Sequence, residues 1–224
     1  METFQTTKKV FKKAFNEILN EQNNYAIDEA ALPAYAHKNF FIDYLFWKRV
    51  EVAFDLAEKN ESKKKVLDFG FGSGVLSYLL AKNGYDVTSC DIELSPFRLV
   101  QKKIAFPPNI SFLEGDIFEK DLPENSFDII FALDVLEHIE NLTDYIELFK
   151  KLLKPNGVIV VSGPTENFLY KLGRQFAGER FSGDYHVTNI AHIKQEFSDR
   201  LLVKTEKKLI FPFVLFEIFT ANKV

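Results

Sequence analysis

The stretch Asp68-Phe69-Gly70-Phe71-Gly72-Ser73-Gly74 constrains this chain more than any other. It lies between a short apolar run, Val66 to Phe69, and a segment in which Val75, Leu76, Leu79 and Leu80 recur at helical spacing. A strand that enters a helix through glycines this closely spaced uses backbone that other residues rarely adopt, and it leaves main chain open to close approach by a ligand. An ordinary glycine turn is the alternative, but the residues on its C-terminal side favour a binding loop. Gly84 marks the end of the helix, and Val87 to Cys90 reads as a second strand. Asp91 ends that strand about 20 residues after the loop, where a carboxylate can accept hydrogen bonds from both hydroxyls of a ribose. The pattern implies a nucleoside. Dinucleotide sites read G-x-G-x-x-G, whereas this loop reads G-x-G-x-G, which counts against NAD.

The remaining pattern is that of an α/β chain. Ser95 is predicted to cap a helix with Pro96 in its first turn, ahead of Leu99 and Val100. Ile110 to Leu113 is a third strand, and Phe127 to Leu133 a fourth whose unbroken apolar run suits burial on both faces. A helix carrying Ile146, Phe149, Leu152 and Leu153 follows Thr143 and is predicted to stop in a turn at Lys154-Pro155-Asn156-Gly157. Val158 to Ser162 is the fifth strand. Strands alternating with helices imply a parallel sheet covered on both faces, with ligands at the carboxyl ends of the strands. Leu201 to Ile210 and Phe213 to Thr220, separated by Phe211-Pro212, suit a closing antiparallel pair. Ahead of the sheet, Phe11, Phe15 and Ile18, then Phe46, Val50, Ala53, Phe54 and Ala57, recur at helical spacing, and Lys59 to Lys65 reads as a linker. The expected organisation is one domain over 1–224: a helical extension or lid at 1–64, a nucleoside-binding core at 65–163, an irregular insertion at 164–200 and closing strands at 201–224.

Composition narrows the function. With 28 Lys+Arg against 32 Asp+Glu the net charge is -4, which argues against a chain built to neutralise nucleic-acid phosphates. The single cysteine, Cys90, cannot form an internal disulfide and is expected to pack at its strand end. Together with only four histidines it excludes Cys-rich zinc modules, and no metal site is read. The opening METFQTTKKVFKKAF interleaves charged and apolar residues, unlike a signal peptide. The most apolar stretch, Leu209 to Ala221, contains Pro212 and Glu217 and falls short of the about 20 apolar residues that span a bilayer. A cytoplasmic setting fits. Aromatics, at 15%, are expected to fill the core and, in the N-terminal extension, insertion and tail, to line an acceptor pocket.

Through VLDFGFGSG at 66–74, CDIE at 90–93, EGDIF at 114–118 and FDIIFALDVLEHI at 127–139, with KPNG before VIVVSGP, the chain resembles the class I S-adenosylmethionine-dependent methyltransferases of small-molecule type. The resemblance spans Val66 to Pro164. It implies a Rossmann-like, seven-stranded, mostly parallel sheet with helices on both faces and the last strand antiparallel. It also implies S-adenosyl-L-methionine as cofactor, with Gly70, Gly72 and Gly74 under its methionine and ribose and Asp68 towards its ammonium group. Asp91 would hold the ribose, Ile92 pack on the adenine, Asp116 accept from the adenine amino group, and Ile117 add backbone and apolar contacts. Leu133 and Asp134 would border the methionine end. The implied reaction is in-line methyl transfer from a sulfonium to oxygen, nitrogen or carbon, in which alignment and exclusion of water matter most. No Asn-Pro-Pro or Asp-Pro-Pro segment follows the fourth strand, which disfavours amino-group methylation of adenine, cytosine or glutamine and leaves oxygen preferred.

For the acceptor side the catalytic candidates are His138, Tyr185 and His186. His138 follows the fourth strand, where it either serves the reaction or packs a helix start. Gly183-Asp184-Tyr185-His186 resembles the GxYH-type segments of some small-molecule and glycolipid-related methyltransferases. His37 reaches the site only if the N-terminal helices form a lid, and His192 reads as surface. Glu166 and Asn167 directly follow the fifth strand. Lys171, Arg174 and Arg180, among aromatics, suit an anionic or amphipathic acceptor, or simply a solvated helix face. The expected partner is therefore a small-molecule or lipid- or sugar-linked acceptor and not nucleic acid. A methyltransferase-like subunit that binds without catalysis, or an NAD-dependent oxidoreductase, are the alternatives.

Overall fold

The computed structural model describes residues 2–21, 32–59, 64–165, 187–209 and 214–223. Its seven strands form one sheet in the order Ile110–Glu114, Asp86–Asp91, Lys65–Phe69, Phe127–Leu133, Leu153–Pro164, Phe216–Asn222, Leu202–Leu209, and the chain divides into two compact units, Met1–Asp121 and Leu122–Val224.

The first unit opens with α1 (Phe4–Glu21), α2 (Leu32–Tyr35) and α3 (Phe40–Glu58). On α1, Thr7, Phe11, Ala14, Phe15 and Ile18 are buried, a single face at helical spacing. The stripe expected on α3 is broader than the sequence pattern showed, because Leu45, Trp47, Arg49 and Leu56 are buried as well, while Phe46 is half-buried. Lys8 and Lys12 of α1 both donate to the Asp43 carboxylate of α3, each at 2.7 Å, and the Trp47 indole donates to the Tyr35 carbonyl at 3.0 Å. Burial works to raise the Asp43 pKa, but hydrogen bonds from Lys12 and Lys8 prevail and hold it below the ordinary carboxylate range.

Three parallel strands come next: β1 (Lys65–Phe69), β2 (Asp86–Asp91) and β3 (Ile110–Glu114), with α4 (Val75–Lys82) and α5 (Ser95–Gln101) as crossovers. Ser95 is not the cap of α5. Leu94 occupies that position, and the Ser95 hydroxyl turns instead to the Glu93 carboxylate. The N-terminus of α5 is held by Glu114 at the end of β3, which accepts from the Leu94 N–H at 3.2 Å and from Arg98 at 2.6 Å. Beneath the glycine loop lies an aromatic core in which the Phe97 ring sits 4.9 Å from Phe71, 4.9 Å from Phe106 and 4.4 Å from Phe112. Phe11 of α1 reaches Tyr78 and Phe106 in the same cluster. Phe11 of the extension is fully buried and fills this core, whereas Phe40, Phe41 and Tyr44 of α3 are exposed.

The second unit contains β4 (Phe127–Leu133), α6 (Leu142–Leu152), β5 (Leu153–Pro164), α7 (Ile190–Ser198), β6 (Leu202–Leu209) and β7 (Phe216–Asn222). Phe127, Ile129, Ile130 and Phe131 are all but fully buried, as expected of a strand covered on both faces. Leu153, assigned to the helix by periodicity, has extended backbone. Lys154 to Gly157 are not a free turn either: pairing with β4 passes from Phe127↔Leu153 to Ile129↔Val158, so the tetrapeptide is a bulge within β5. β4 and β5 are parallel, while β7 runs antiparallel to both β5 and β6, the closing geometry expected of the tail.

Candidate functional site

The loop after β1 is built on left-handed backbone, with φ of 69°, 51° and 78° at Gly70, Gly72 and Gly74. The Gly70 N–H donates to the Cys90 carbonyl at 2.8 Å, tying the loop to β2. Gly74 caps α4. Sequence reasoning gave these glycines a tight turn and a ligand's close approach; at Gly74 the protein's own packing also crowds a side chain, since a Cβ there would meet Phe97 at 2.9 Å and Phe106 at 3.1 Å.

Asp91 closes β2 half-buried, and its Oδ2 accepts from the Gly72 N–H at 2.8 Å. The carboxylate and the glycine loop are thereby fixed to each other. Next to it Ile92 is 74% exposed, an open apolar surface at the strand end. Asp116 follows β3, and its Oδ1 accepts from the Phe118 N–H at 3.0 Å, shaping the short turn Ile117–Glu119. The Ile117 side chain is buried, so its open contribution is backbone, and Phe118 is the exposed hydrophobic residue of that turn. This arrangement offers a carboxylate, an apolar shelf and a tight loop along the carboxyl ends of β1 to β3.

Asp68 is different. It is 3% exposed and takes a hydrogen bond of 2.5 Å from the Ser77 hydroxyl, which is itself 2.8 Å from the Ser89 hydroxyl. Burial pushes the Asp68 pKa up to about 7, against the lowering effect of Ser77. Neither serine was singled out from sequence. Alternation along β2 was the available signal, because it places Ser89 on the same face as Asp91, and Ser89 is the register partner of Asp68. Cys90 is buried, as expected, its thiol pushed up to about 11 by burial and then by Asp91.

In the second unit Leu133 ends β4 half-buried, and Asp134 follows with φ of 54°. Ser162 of β5 holds Asp134, its hydroxyl donating to Oδ1 at 3.0 Å while its carbonyl accepts from the Asp134 N–H at 3.0 Å. His138 is exposed at the end of the short turn Leu136–His138. The Glu137 carbonyl in that turn accepts from Val187 and Thr188 at 2.8 and 3.3 Å. His37 lies in the first unit, its Nδ1 accepting from the Asn39 N–H at 3.0 Å, and His192 is exposed on α7. Tyr185, His186, Glu166, Asn167, Lys171, Arg174 and Arg180 lie outside the described residues. Among the described residues no helix is long and apolar enough to cross a membrane.

Parallel strands joined by helical crossovers, a glycine loop after the first and an acid at the end of the second define a Rossmann-like nucleoside-binding fold. A family model described as a methyltransferase domain matches residues 42–202, and the chain belongs to that family. It is 31% identical over 115 residues to the mitochondrial ubiquinone biosynthesis O-methyltransferase of Schizosaccharomyces pombe, a match covering 50% of this chain and 42% of that protein. To the ubiquinone biosynthesis O-methyltransferase of Pasteurella multocida it is 36% identical over 111 residues, covering 44% and 46%. The matches span less than half the length of these curated relatives. In structure it is similar to the PH0226 protein of Pyrococcus horikoshii, with a TM-score of 0.65, 20% identity and coverage of 86% and 96%. It is similar also to the magnesium protoporphyrin IX methyltransferase of Synechocystis with bound SAH, with a TM-score of 0.60, 23% identity and coverage of 83% and 88%. At these identities the likeness shows the shared fold.

Proposed function

We propose that this chain is an S-adenosyl-L-methionine-dependent methyltransferase that methylates an oxygen of a small-molecule or lipid- or sugar-linked acceptor. The observation that carries the reading is Asp91, fixed at the end of β2 by the Gly72 N–H beside the open Ile92 side chain. A carboxylate so placed pairs with the two hydroxyls of a ribose, and the relatives' O-methyltransferase activity supports the choice of nucleoside and of acceptor atom. The cofactor, when bound, supplies an electrophilic methyl group on sulfur.

What the chain's residues contribute is orientation. Asp91, Ile92 and Asp116 hold the adenosyl part, and the loop from Gly70 to Gly74 lets main chain approach it closely. Asp68 stands at the methionine end, as a counter-charge for the amine. On the acceptor side His138 is proposed to bind the acceptor or take its proton, together with Tyr185 and His186; a base so placed accelerates such a step by about 10²–10⁴. A single cysteine, which has no partner for an internal disulfide, suits a cytoplasmic setting.

Calorimetry with S-adenosylhomocysteine tests the assignment. Asp91→Ala is expected to weaken binding about 10- to 100-fold, the loss of hydrogen bonds to a charged acceptor. Unchanged affinity would refute the nucleoside site, and tight NAD binding in its place would turn the reading to an oxidoreductase.

A further inference from the structure

Ser77 sits in the first turn of α4, fully buried, facing the β1–β2 ladder where Asp68 and Ser89 lie directly opposite each other. Its hydroxyl is 2.5 Å from Asp68 Oδ2 and 2.8 Å from the Ser89 hydroxyl, and its backbone N–H also acts on the carboxylate. Ser89 is itself wholly buried. A hydroxyl has one proton to give, so a buried chain of this kind has a direction. With Ser89 donating to Ser77, the Ser77 proton is committed to Asp68. A carboxylate removed from water is otherwise driven towards its neutral acid. Among the described residues the charged group acting on Asp68 is Asp91, and a like charge drives it the same way. Cys90, next to Asp91, is neutral across the physiological range.

We propose that Ser77, backed by Ser89, is the positioning residue that favours the ionised form of Asp68 and aims it, so that affinity for the amine-bearing end of the cofactor depends on the hydroxyl at position 77. This rests on the reading of Asp68 as the amine's counter-charge. The Ser77 bonds favour the ionised form, and Asp68 titrates near pH 7, so small losses at Ser77 change its charge under ordinary conditions. Affinity for an amine-bearing ligand therefore rises as the pH climbs through about 7, and removing the hydroxyl moves that rise to higher pH.

Two ligands separate this role from a structural one. S-adenosylhomocysteine carries the amine, and methylthioadenosine has the same adenosyl part without it. Both use Asp91, so effects on that residue cancel in their ratio. At pH 7, Ser77→Ala is expected to weaken S-adenosylhomocysteine about tenfold, a charge-assisted hydrogen bond lost, with less than about twofold change for methylthioadenosine. The selective loss should shrink as the pH is raised to 8.5, and Ser77→Thr should restore binding. Equal weakening of both ligands, or of neither, overturns the proposal. Asp68→Asn keeps the two failures apart. If it does not weaken S-adenosylhomocysteine selectively, the counter-charge reading fails. If it does while Ser77→Ala does not, the assignment of Ser77 alone fails. Should Ser77→Ala not fold, Ser89→Ala must show the same ligand-selective loss at smaller size, and its absence overturns the proposal equally.

Discussion

Replacing Gly74 by alanine isolates how much of the glycine loop is dictated by the fold and how much by a ligand. The residue has φ of 78°, and an added Cβ would lie 2.9 Å from Phe97 Cε2 and 3.1 and 3.2 Å from Cε1 and Cζ of Phe106. The left-handed backbone costs an alanine about 1–2 kcal/mol. Displacing the buried Phe97 ring and the partly buried Phe106 ring of this aromatic core adds about 1–3 kcal/mol. Gly84 supplies the control: its φ is 85°, but nothing lies within 4 Å of an added Cβ, so Gly84→Ala bears the backbone cost alone. Trp47, the single tryptophan, is 1% exposed and lies in the same unit, so its fluorescence during thermal unfolding reports on both variants. A total of about 2–5 kcal/mol lowers Tm by roughly 4–20 °C in a chain of this size, and the control, at about 1–2 kcal/mol, by roughly 2–8 °C. Equal losses in the two variants would refute the steric argument. Native stability with abolished nucleoside binding in Gly74→Ala would show that the position is kept for the ligand after all.

Asp43→Asn should destabilise the chain by about 1 kcal/mol at pH 7, since the pair of lysine bonds is only partly screened. The folded-state pKa of Asp43 is depressed, so this stabilisation is present above the unfolded value of about 4 and is lost as the pH falls through the folded one. Denaturant titrations should therefore show wild type and variant converging in acid; a constant difference would contradict the assignment. Cys90 should resist a thiol-specific chromogenic reagent at pH 8 in the native chain and react fully once unfolded, and rapid native reaction would contradict its burial and raised pKa.

The parallel strands and the loop were legible because their signals are local. Apolar runs, a glycine cluster and an acid at a strand end carry their meaning in a few consecutive residues. Where prediction slipped, a distant partner decided. Leu153 fits the α6 periodicity, yet pairing with Phe127 draws it into β5. Ser95 has the composition of a cap, but Glu114 holds that helix end and leaves the serine to Glu93. The aromatic abundance was expected to fill the core, but not that α1 would deliver Phe11 to the cluster around Phe97 from the far end of the sequence. Ser77 and Ser89 looked like ordinary polar residues of a helix and a strand. Their meaning depends on the β1–β2 register, which no local pattern states.

The chain on either side of residues 166–186 is held by main-chain carbonyls. Thr165 donates through its N–H to the Leu215 carbonyl at 3.0 Å and through its hydroxyl to the Val214 carbonyl at 2.7 Å. On the other side the Val187 and Thr188 amides meet the carbonyl of Glu137. Every acceptor in this set is main chain, so none of these bonds depends on the side chain of the accepting residue. Substitutions at Glu137, Val214 or Leu215 therefore leave both anchors their acceptors.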